Sequence, residues 1–268
     1  MTDRYAVVGH PIEHSRSPVI HAAFARATGE QLTYERLLAP LDGFVATVEA
    51  FRRAGGRGCN VTLPFKEEAF RYAGAHTDRS ARAATVNTLK FDGGGVLGDN
   101  TDGAGLVRDI ESNLRVGLGG ARILLLGAGG AARGVIPSLL DRRPAQIVVF
   151  NRTAQRARDL AGAFAGTVRA RDALTPADRF DIAINATAAS LSGAAPALPA
   201  GLLAHAALAY DMVYSRDGTP FMRCAREEGA AVVADGLGML VEQAAESFFL
   251  WRGVQPPTAA VLADLRAA

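Results

Sequence analysis

Lysine is nearly absent from this sequence. Of the 29 basic residues only Lys66 and Lys90 are lysine, and all the others are arginine. Arginine does not give up its proton in a protein, whereas a desolvated lysine amine can titrate, so the two residues differ in proton-transfer chemistry. The scarcity makes Lys66 a candidate for such chemistry, whereas the sequence suggests no role for Lys90.

Cysteine is equally scarce. Cys59 and Cys224 lie far apart and match no metal-binding or disulfide pattern, which favours a reducing cytoplasm. The N-terminus has no continuous apolar segment, so we expect no secretory signal. Residues 182–210 carry no Asp, Glu, Lys or Arg, but their Asn, Thr, Ser, Gly and Pro residues argue against a membrane span.

A strong net charge is also missing. The formal net charge is +2 and the arginines are scattered along the chain. We therefore expect neither a nucleic-acid nor a membrane-surface partner. The expected partner is a small molecule, and the chain is expected to be a monomer or a homodimer.

The sequence does contain a regular alternation of short apolar segments and helical patterns. Segments 5–9, 32–38 and 58–63 predict strands, and the patterns over 18–28 and 43–54 predict helices between them. Residues 86–91 and 96–100 flank residues 92–95 and predict a hairpin.

The alternation starts afresh at Arg122 and continues to residue 234. Two α/β domains with largely parallel sheets are therefore predicted. A connecting helix is expected over 103–116, and a long amphipathic helix is expected over 237–253.

A glycine-rich turn follows the first strand of the second series. The strand at 122–126 leads into GAGGAA at 127–132 and then into a helical pattern, which is the order that a dinucleotide-binding turn requires. Small residues let the backbone approach a pyrophosphate, and the helix N-terminus offers free N–H groups. The alternative is a tight turn without a ligand. The candidate contacts are Gly127, Ala128, Gly129, Gly130 and Ala131.

The next strand indicates which dinucleotide is bound. An NAD site usually has an acidic residue about 20 residues after the turn, and this chain has Asn151, Arg152 and Thr153 there, with Arg156 one turn later. Guanidinium groups favour the 2′-phosphate of NADP, which an acid would repel. The alternatives are a helix N-cap at Thr153 and a solvated charge at Arg156.

A dinucleotide site implies hydride transfer, so the substrate should be a carbonyl or an alcohol. Reduction of a carbonyl builds negative charge on its oxygen, and the first domain should therefore supply a proton donor. Lys66 follows Pro64 in a predicted first helical turn, where the helix dipole disfavours a cation. The alternative is an exposed lysine beside Glu67 and Glu68. Asp102 lies at the predicted domain junction, where its alternative role is helix capping.

Eight motifs occur in order through almost the whole chain, and together they resemble the shikimate dehydrogenase family. They are HSRSP at 14–18, NVTLPFK at 60–66, VNTL at 86–89, GDNTDG at 98–103, GAGGAAR at 127–133, NRT at 151–153, DMVY at 211–214 and DGLGMLVEQA at 235–244. The resemblance implies reversible NADPH-dependent reduction of 3-dehydroshikimate to shikimate in aromatic amino-acid biosynthesis.

The resemblance also assigns the two domains. It implies an α/β fold with an N-terminal substrate-binding and catalytic domain, formed by 1–102 and 237–268, whose sheet is mainly parallel. A Rossmann-type NADP-binding domain is expected over 103–236, separated from the first by a cleft.

The family's site residues match this sequence position by position. Lys66 and Asp102 match the catalytic pair, and the sequence leaves open which of them is the acid/base. Ser15, Ser17 and Tyr214 match residues that bind the substrate carboxylate. The positions that match polar groups around the substrate hydroxyls are Asn60, Thr62, Asn87 and Gln243.

The nicotinamide side shows one departure from the family pattern. Thr187, Met212 and Gly236 match family positions there, with core packing and a turn as alternatives for Met212 and Gly236. The family commonly has NATSxGL, whereas this chain has Ala188 in place of the serine. The missing hydroxyl puts one local cofactor contact in doubt but not the reaction.

Other functions fit less well. A quinate/shikimate dehydrogenase using NAD conflicts with Arg152 and Arg156, and a non-catalytic sensor on the same scaffold would be expected to lose Lys66 or Asp102. The segment HPIEH at 10–14 resembles a zinc motif, but its order is wrong and Pro11 would break the helix. We therefore expect no metal site.

Overall fold

The computed structural model describes residues 2–164 and 166–267, so Met1, Ala165 and Ala268 lie outside the described residues. The chain forms two compact units. The first contains the residues up to Gly105 and those from Leu240 onward, and the second is Leu106–Met239. Both junctions lie within helices, three residues after the boundaries expected from the sequence.

The first unit is built from short strands and helices that alternate along the chain. They are β1 (Asp3–Gly9), α1 (Ser17–Thr28), β2 (Leu32–Leu38), α2 (Phe44–Arg53), β3 (Gly56–Val61), α3 (Lys66–Tyr72), β4 (Ala75–His76), α4 (Asp78–Ala83), β5 (Thr88–Asp92), β6 (Gly95–Asp99) and the start of α5 (Asp102–Arg108).

Its six-stranded sheet has the order β2-β1-β3-β5-β6-β4. The strand β1 pairs in parallel with β2 and β3, as the βαβ pattern predicts. The strands β5 and β6 form the predicted antiparallel hairpin, and β5 also pairs antiparallel with β3. The short elements β4 and α4 have no counterpart among the predicted elements, because neither is long enough to show a periodic pattern.

One apolar core lies between this sheet and its helices. It contains Val8 of β1, Phe44 and Val48 of α2, Phe65 before α3 and Leu89 of β5, all buried. Phe44 and Val48 are four residues apart, which is the spacing of one helix face. Phe65 of this core lies between β3 and α3, directly before Lys66.

The second unit repeats the alternation over a longer stretch. Its elements are β7 (Arg122–Leu126), α6 (Gly130–Leu140), β8 (Gln146–Phe150), α7 (Ala154–Gly162), β9 (Val168–Arg171), β10 (Ile182–Asn185), a 3₁₀ helix (Ala189–Ser192), β11 (Leu208–Asp211), α8 (Pro220–Glu228) and β12 (Val232–Ala234). The helix α9 (Leu237–Arg252) starts in this unit and continues into the first, which α10 (Ala259–Ala267) completes.

The second sheet is entirely parallel, with the order β12-β11-β10-β7-β8-β9. This is the doubly wound order of dinucleotide-binding domains: successive strands are added on one side of β7 up to β9 and on its other side from β10 onward, so the switch point lies between β7 and β10. Ligands of such sheets bind beyond the carboxyl ends of the strands at that point. The turn at Gly127 lies there, directly after β7.

The connecting helix differs from the prediction of one helix over 103–116. The α-helix α5 ends at Arg108 and a π-helix, Asp109–Asn113, continues it. The Leu114 N–H donates to the carbonyl of Asp109, five residues earlier, at 2.9 Å. At the start of this wider turn the buried Asp109 carboxylate accepts from the Tyr210 hydroxyl at 2.6 Å and from Asn113 Nδ2 at 2.9 Å.

No helix within the described part of the chain combines the length and the apolar character needed to cross a bilayer.

Candidate active site

Lys66 and Asp102 lie side by side in the first unit. Lys66 is the first residue of α3 and Asp102 is the first residue of α5. The Lys66 Nζ atom lies 2.5 Å from Asp102 Oδ2, and the two side chains are 12% and 7% exposed. The Asp102 carboxylate accepts from side chains and not from its own helix, so it does not act as a helix cap. The result is a nearly buried amine–carboxylate pair.

The turn before Asp102 is fixed by a second ion pair. Arg79 donates to both oxygens of the buried Asp99 at 2.7 and 2.6 Å. Although burial acts to raise the pKa of Asp99, hydrogen bonding from Arg79 lowers it below its usual value. The ionised Asp99 accepts from Asn100 N–H, and Asn100 Oδ1 accepts from Asp102 N–H at 3.1 Å. The backbone that carries Asp102 is therefore held from both sides.

Asn87 joins Asp102 to the helix α9. Its Nδ2 atom lies 2.9 Å from Asp102 Oδ1 and 3.2 Å from Gln243 Oε1. Its Oδ1 atom accepts from Thr101 N–H at 2.8 Å, which fixes the orientation of the amide. The structure thus brings together four of the predicted residues, which are Lys66, Asn87, Asp102 and Gln243.

Asn60 lies at the carboxyl-terminal end of β3 and is also buried. Its Nδ2 atom is 2.8 Å from Ser247 Oγ and 3.0 Å from Thr88 Oγ1. Thr88 Oγ1 in turn donates to Asn87 Oδ1 at 2.9 Å. Asn60 and Asn87 therefore belong to one hydrogen-bonded network.

The predicted hydroxyl groups lie at three places in the chain. Ser15 and Ser17 lie together at the start of α1, with their Oγ atoms 3.2 Å apart. The Thr62 hydroxyl has no hydrogen-bond partner among the described residues, so it is available to a ligand. Tyr214 lies in the second unit, three residues after β11 ends at Asp211.

The glycine turn of the second unit has the backbone that a pyrophosphate requires. Gly127 has a φ of 104°, and an added Cβ would lie 3.1 Å from the carbonyl oxygen of Ala186. Gly129 precedes α6, and its added Cβ would have no heavy atom within 4 Å. Gly127 is therefore required by the fold, while the space beside Gly129 is open to a ligand. Ala128, Gly130 and Ala131 complete the turn and the first turn of α6, so the residues present fit a dinucleotide.

The residues after β8 fit a phosphate on the nucleotide ribose. Asn151 Nδ2 donates to the carbonyl of Thr153 at 2.9 Å and shapes the loop. Thr153 occupies the N-cap position of α7 but its side chain makes no capping bond. Arg152 and Arg156 are exposed, and neither is paired with a carboxylate within the described chain. Both guanidinium groups are therefore available to bind a phosphate.

The loop after β10 is held by Asp211, which is buried. Asn185 Oδ1 accepts from the Thr187 hydroxyl at 2.7 Å, and Asn185 Nδ2 lies 3.2 Å from Asp211 Oδ1. Ser190 donates to Asp211 Oδ2 at 2.6 Å. Although Ala188 lacks the hydroxyl that is common in the family, the Ser190 hydroxyl anchors this loop to Asp211.

Met212 and Gly236 are in close contact within the second unit. An added Cβ on Gly236 would lie 2.2 Å from the carbonyl oxygen of Met212. Packing alone therefore requires glycine at position 236. This accounts for the residue whether or not it also contacts a cofactor.

Sequence reasoning missed the hydroxyl side chains that connect the site amides. Thr88, Thr101 and Ser247 are buried and bridge Asn60, Asn87 and Gln243. Ser247 follows Gln243 by four residues, which places both on one face of α9, and that spacing was an available signal. Within the described chain no three potential ligands cluster as a metal site would need.

Three family models cover much of the chain. Residues 7–89 match the shikimate dehydrogenase substrate binding domain, 110–193 match shikimate / quinate 5-dehydrogenase, and 236–266 match the shikimate 5′-dehydrogenase C-terminal domain. The chain is 61% identical to a shikimate dehydrogenase (NADP(+)) of Aromatoleum aromaticum, over 98% of this chain and 97% of the relative.

The chain belongs to the shikimate dehydrogenase family.

Solved structures of similar proteins extend this result to the fold. An Ael1 enzyme from Pseudomonas putida is 48% identical, with a TM-score of 0.91 and 98% of each chain covered. The shikimate 5-dehydrogenase of Thermus thermophilus, in complex with NADP(H) and shikimate, is 34% identical, with a TM-score of 0.89 and 99% of each chain covered. The predicted α/β class with a Rossmann-type second sheet is confirmed.

Proposed function

We propose that this member of the shikimate dehydrogenase family catalyses the reversible, NADPH-dependent reduction of 3-dehydroshikimate to shikimate. The reaction is a step of aromatic amino-acid biosynthesis. The observation that carries the proposal is the nearly buried Lys66–Asp102 pair, held at 2.5 Å within a network of amide and hydroxyl groups. Relatives that are more than half identical over nearly the full chain are NADP(+)-dependent shikimate dehydrogenases.

Lys66 provides the proton for this reaction. NADPH, when bound, supplies the hydride that converts the ketone carbon to an alcohol. The Lys66 ammonium donates a proton to the oxygen on which negative charge develops, and in the reverse direction the neutral amine takes that proton back. Asp102 holds the amine by an ion pair and still has lone pairs that can accept from a substrate hydroxyl. An arginine could form the ion pair but could not transfer the proton.

The polar groups around this pair bind the substrate. Asn60, Thr62, Asn87 and Gln243 contact the ring hydroxyls, and Ser15, Ser17 and Tyr214 bind the carboxylate. This assignment is supported by the open hydroxyl of Thr62 and by the bonds that orient Asn60 and Asn87. A set of oriented donors and acceptors selects a polyhydroxylated ring over an apolar one, because an analogue without the hydroxyls leaves them unpaired.

The second unit binds the nucleotide. The backbone of the turn at 127–131 and the N-terminus of α6 receive the pyrophosphate. Arg152 and Arg156, with Asn151 and Thr153, receive the 2′-phosphate. Thr187, Met212 and Gly236 lie on the nicotinamide side. The open space beside Gly129 supports this arrangement.

The proposal includes a substrate domain of 1–102 with 237–268, and a nucleotide domain of 103–236. It also includes a cytoplasmic location, which the two free cysteines support. A monomer or a homodimer is proposed as the working state.

A steady-state assay of purified protein with shikimate and quinate, each against NADP and NAD, tests the function. We expect the highest kcat/KM for shikimate with NADP. Quinate is included because one matching family model covers quinate dehydrogenases. A preference for quinate with NAD would establish the alternative enzyme, and binding of shikimate without turnover would establish a sensor.

A further inference from the structure

Asn60 has a carboxamide whose orientation is fixed by its neighbours. Its Nδ2 atom has three acceptors within reach, which are Ser247 Oγ at 2.8 Å, Thr88 Oγ1 at 3.0 Å and the backbone carbonyl of Asn87 at 3.3 Å. A backbone carbonyl only accepts, so a flipped amide would place two oxygens against each other. The two N–H groups are therefore used inside the protein, and the side chain can offer a ligand only its oxygen.

Tyr34 of β2 donates to that oxygen. The Tyr34 hydroxyl lies 2.7 Å from Asn60 Oδ1. Burial raises the pKa of Tyr34 well above its usual value. The phenol thus keeps its proton and remains a donor. One lone pair of Asn60 Oδ1 is bound by Tyr34, and one remains.

The position of the Tyr34 ring is set by stacking. The His21 ring lies parallel to it, with centroids 4.2 Å apart and an interplanar angle of 7°. Trp251 tilts against both rings, at 5.4 Å from His21 and 6.3 Å from Tyr34. A ring held on its face cannot swing its hydroxyl away from Asn60.

We propose that Tyr34 is a positioning residue for substrate binding, whose hydroxyl aims Asn60 Oδ1 so that its remaining lone pair accepts from a ring hydroxyl of shikimate. Tyr34 itself does not touch the substrate in this arrangement. The inference rests on the proposed function, because it requires Asn60 to contact shikimate. It adds a residue outside the motifs that carry the family resemblance.

The substitution Tyr34→Phe tests this directly, since it removes one oxygen and leaves the stacked ring. Loss of one hydrogen bond to the site amide should raise KM for shikimate roughly 10-fold. The kcat should stay within about 2-fold of wild type, and KM for NADP should not change. Shikimate Kd from titration calorimetry should rise by the same factor as KM.

A matched control is Tyr5→Phe. Tyr5 lies on the adjacent strand β1 and stacks on Trp251 at 4.6 Å, but its hydroxyl is 3.5 Å from Arg252 and contacts no site residue. This variant should have the wild-type KM for shikimate. All assays are run well below the melting temperature of the least stable variant, so that partial unfolding does not enter KM.

A double-mutant cycle then separates positioning from a general effect on the fold. If Tyr34 acts through Asn60, Tyr34→Phe should add nothing to KM in an Asn60→Ala background. An additive effect, or an unchanged KM in Tyr34→Phe alone, overturns the inference. The proposed function still stands in that case if the wild-type protein turns over shikimate. Wild-type protein that neither binds nor turns over shikimate overturns both.

Discussion

Lys66 and Asp102 are 36 residues apart in the chain and form an ion pair of 2.5 Å. Each is the first residue of its helix, and the two side chains are almost buried. A lysine at a helix N-terminus opposes the helix dipole, so this position is unfavourable for a lysine with only a structural role. The carboxylate compensates that cost and keeps the amine in place for proton transfer.

Replacement of Lys66 tests this role. We expect Lys66→Ala to lower kcat at least about 100-fold, because it removes the proton donor. Lys66→Arg should lose activity to a similar extent although it keeps the charge, since a guanidinium does not release its proton. Rapid-mixing and steady-state measurements of NADPH oxidation report both effects.

The second lysine is the control for that experiment. Lys90 Nζ donates to the carbonyl of Leu250 at 3.0 Å and contacts no predicted site residue. Lys90→Ala should therefore retain kcat. Near-normal turnover in Lys66→Ala would remove the basis of the proposed mechanism.

Arg152 should determine the choice of cofactor. Its exposed guanidinium has no carboxylate partner among the described residues, so its loss should affect only a ligand with a 2′-phosphate. Arg152→Ala should raise KM for NADPH about 10- to 100-fold and leave KM for NADH nearly unchanged. Arg169→Ala removes an exposed arginine from the middle of β9 and should change neither value. Equal losses with both cofactors would contradict the assignment.

Gly127 and Gly129 should respond differently to alanine. At Gly127 a positive φ and the nearby Ala186 carbonyl should make Gly127→Ala less stable by about 1–3 kcal/mol. Gly129 has a φ of −96° and open space beside it, so Gly129→Ala should keep the wild-type Tm. It should still weaken NADPH binding, because a methyl group would occupy the space of the pyrophosphate.

Thermal melts and NADPH titration separate the two effects. A Gly129→Ala variant that binds NADPH as tightly as wild type would show that the pyrophosphate does not approach this glycine.

The buried His21 should make the protein sensitive to acid. Burial lowers its pKa from 6.5 to about 3, and neither ring nitrogen has a hydrogen-bond partner among the described residues. Between these values the unfolded chain binds a proton that the folded chain does not, so stability falls as the pH decreases below 6.5. At about pH 5 the loss from this group is about 2 kcal/mol relative to neutral pH.

His21→Phe removes the titrating group and keeps a ring for stacking. Its free energy of unfolding should fall less than that of wild type between about pH 7 and about pH 5, as measured by chemical denaturation at each pH. His205→Gln removes an exposed imidazole and serves as the control. Parallel pH curves for wild type and His21→Phe would exclude this contribution.

Local patterns were sufficient to predict several elements correctly. The strand–turn–helix at β7, Gly127 and α6 and the hairpin of β5 and β6 both follow from short-range periodicity and glycine placement. The prediction of one connecting helix over 103–116 was partly wrong. The helix changes to a π-helix at Asp109, whose carboxylate accepts from the hydroxyl of Tyr210, 101 residues further along the chain.

The sequence alone determined the class of this protein, because apolar periodicity and the glycine turn depend on neighbouring residues and the family motifs are linear. It also indicated Lys66, through the scarcity of lysine. Only the tertiary structure decided how the site amides are oriented. Asn60 and Asn87 are aimed by Tyr34, Thr88, Thr101 and Ser247, and no local pattern encodes bonds between residues that meet only after β2, β3, β5 and α9 have packed.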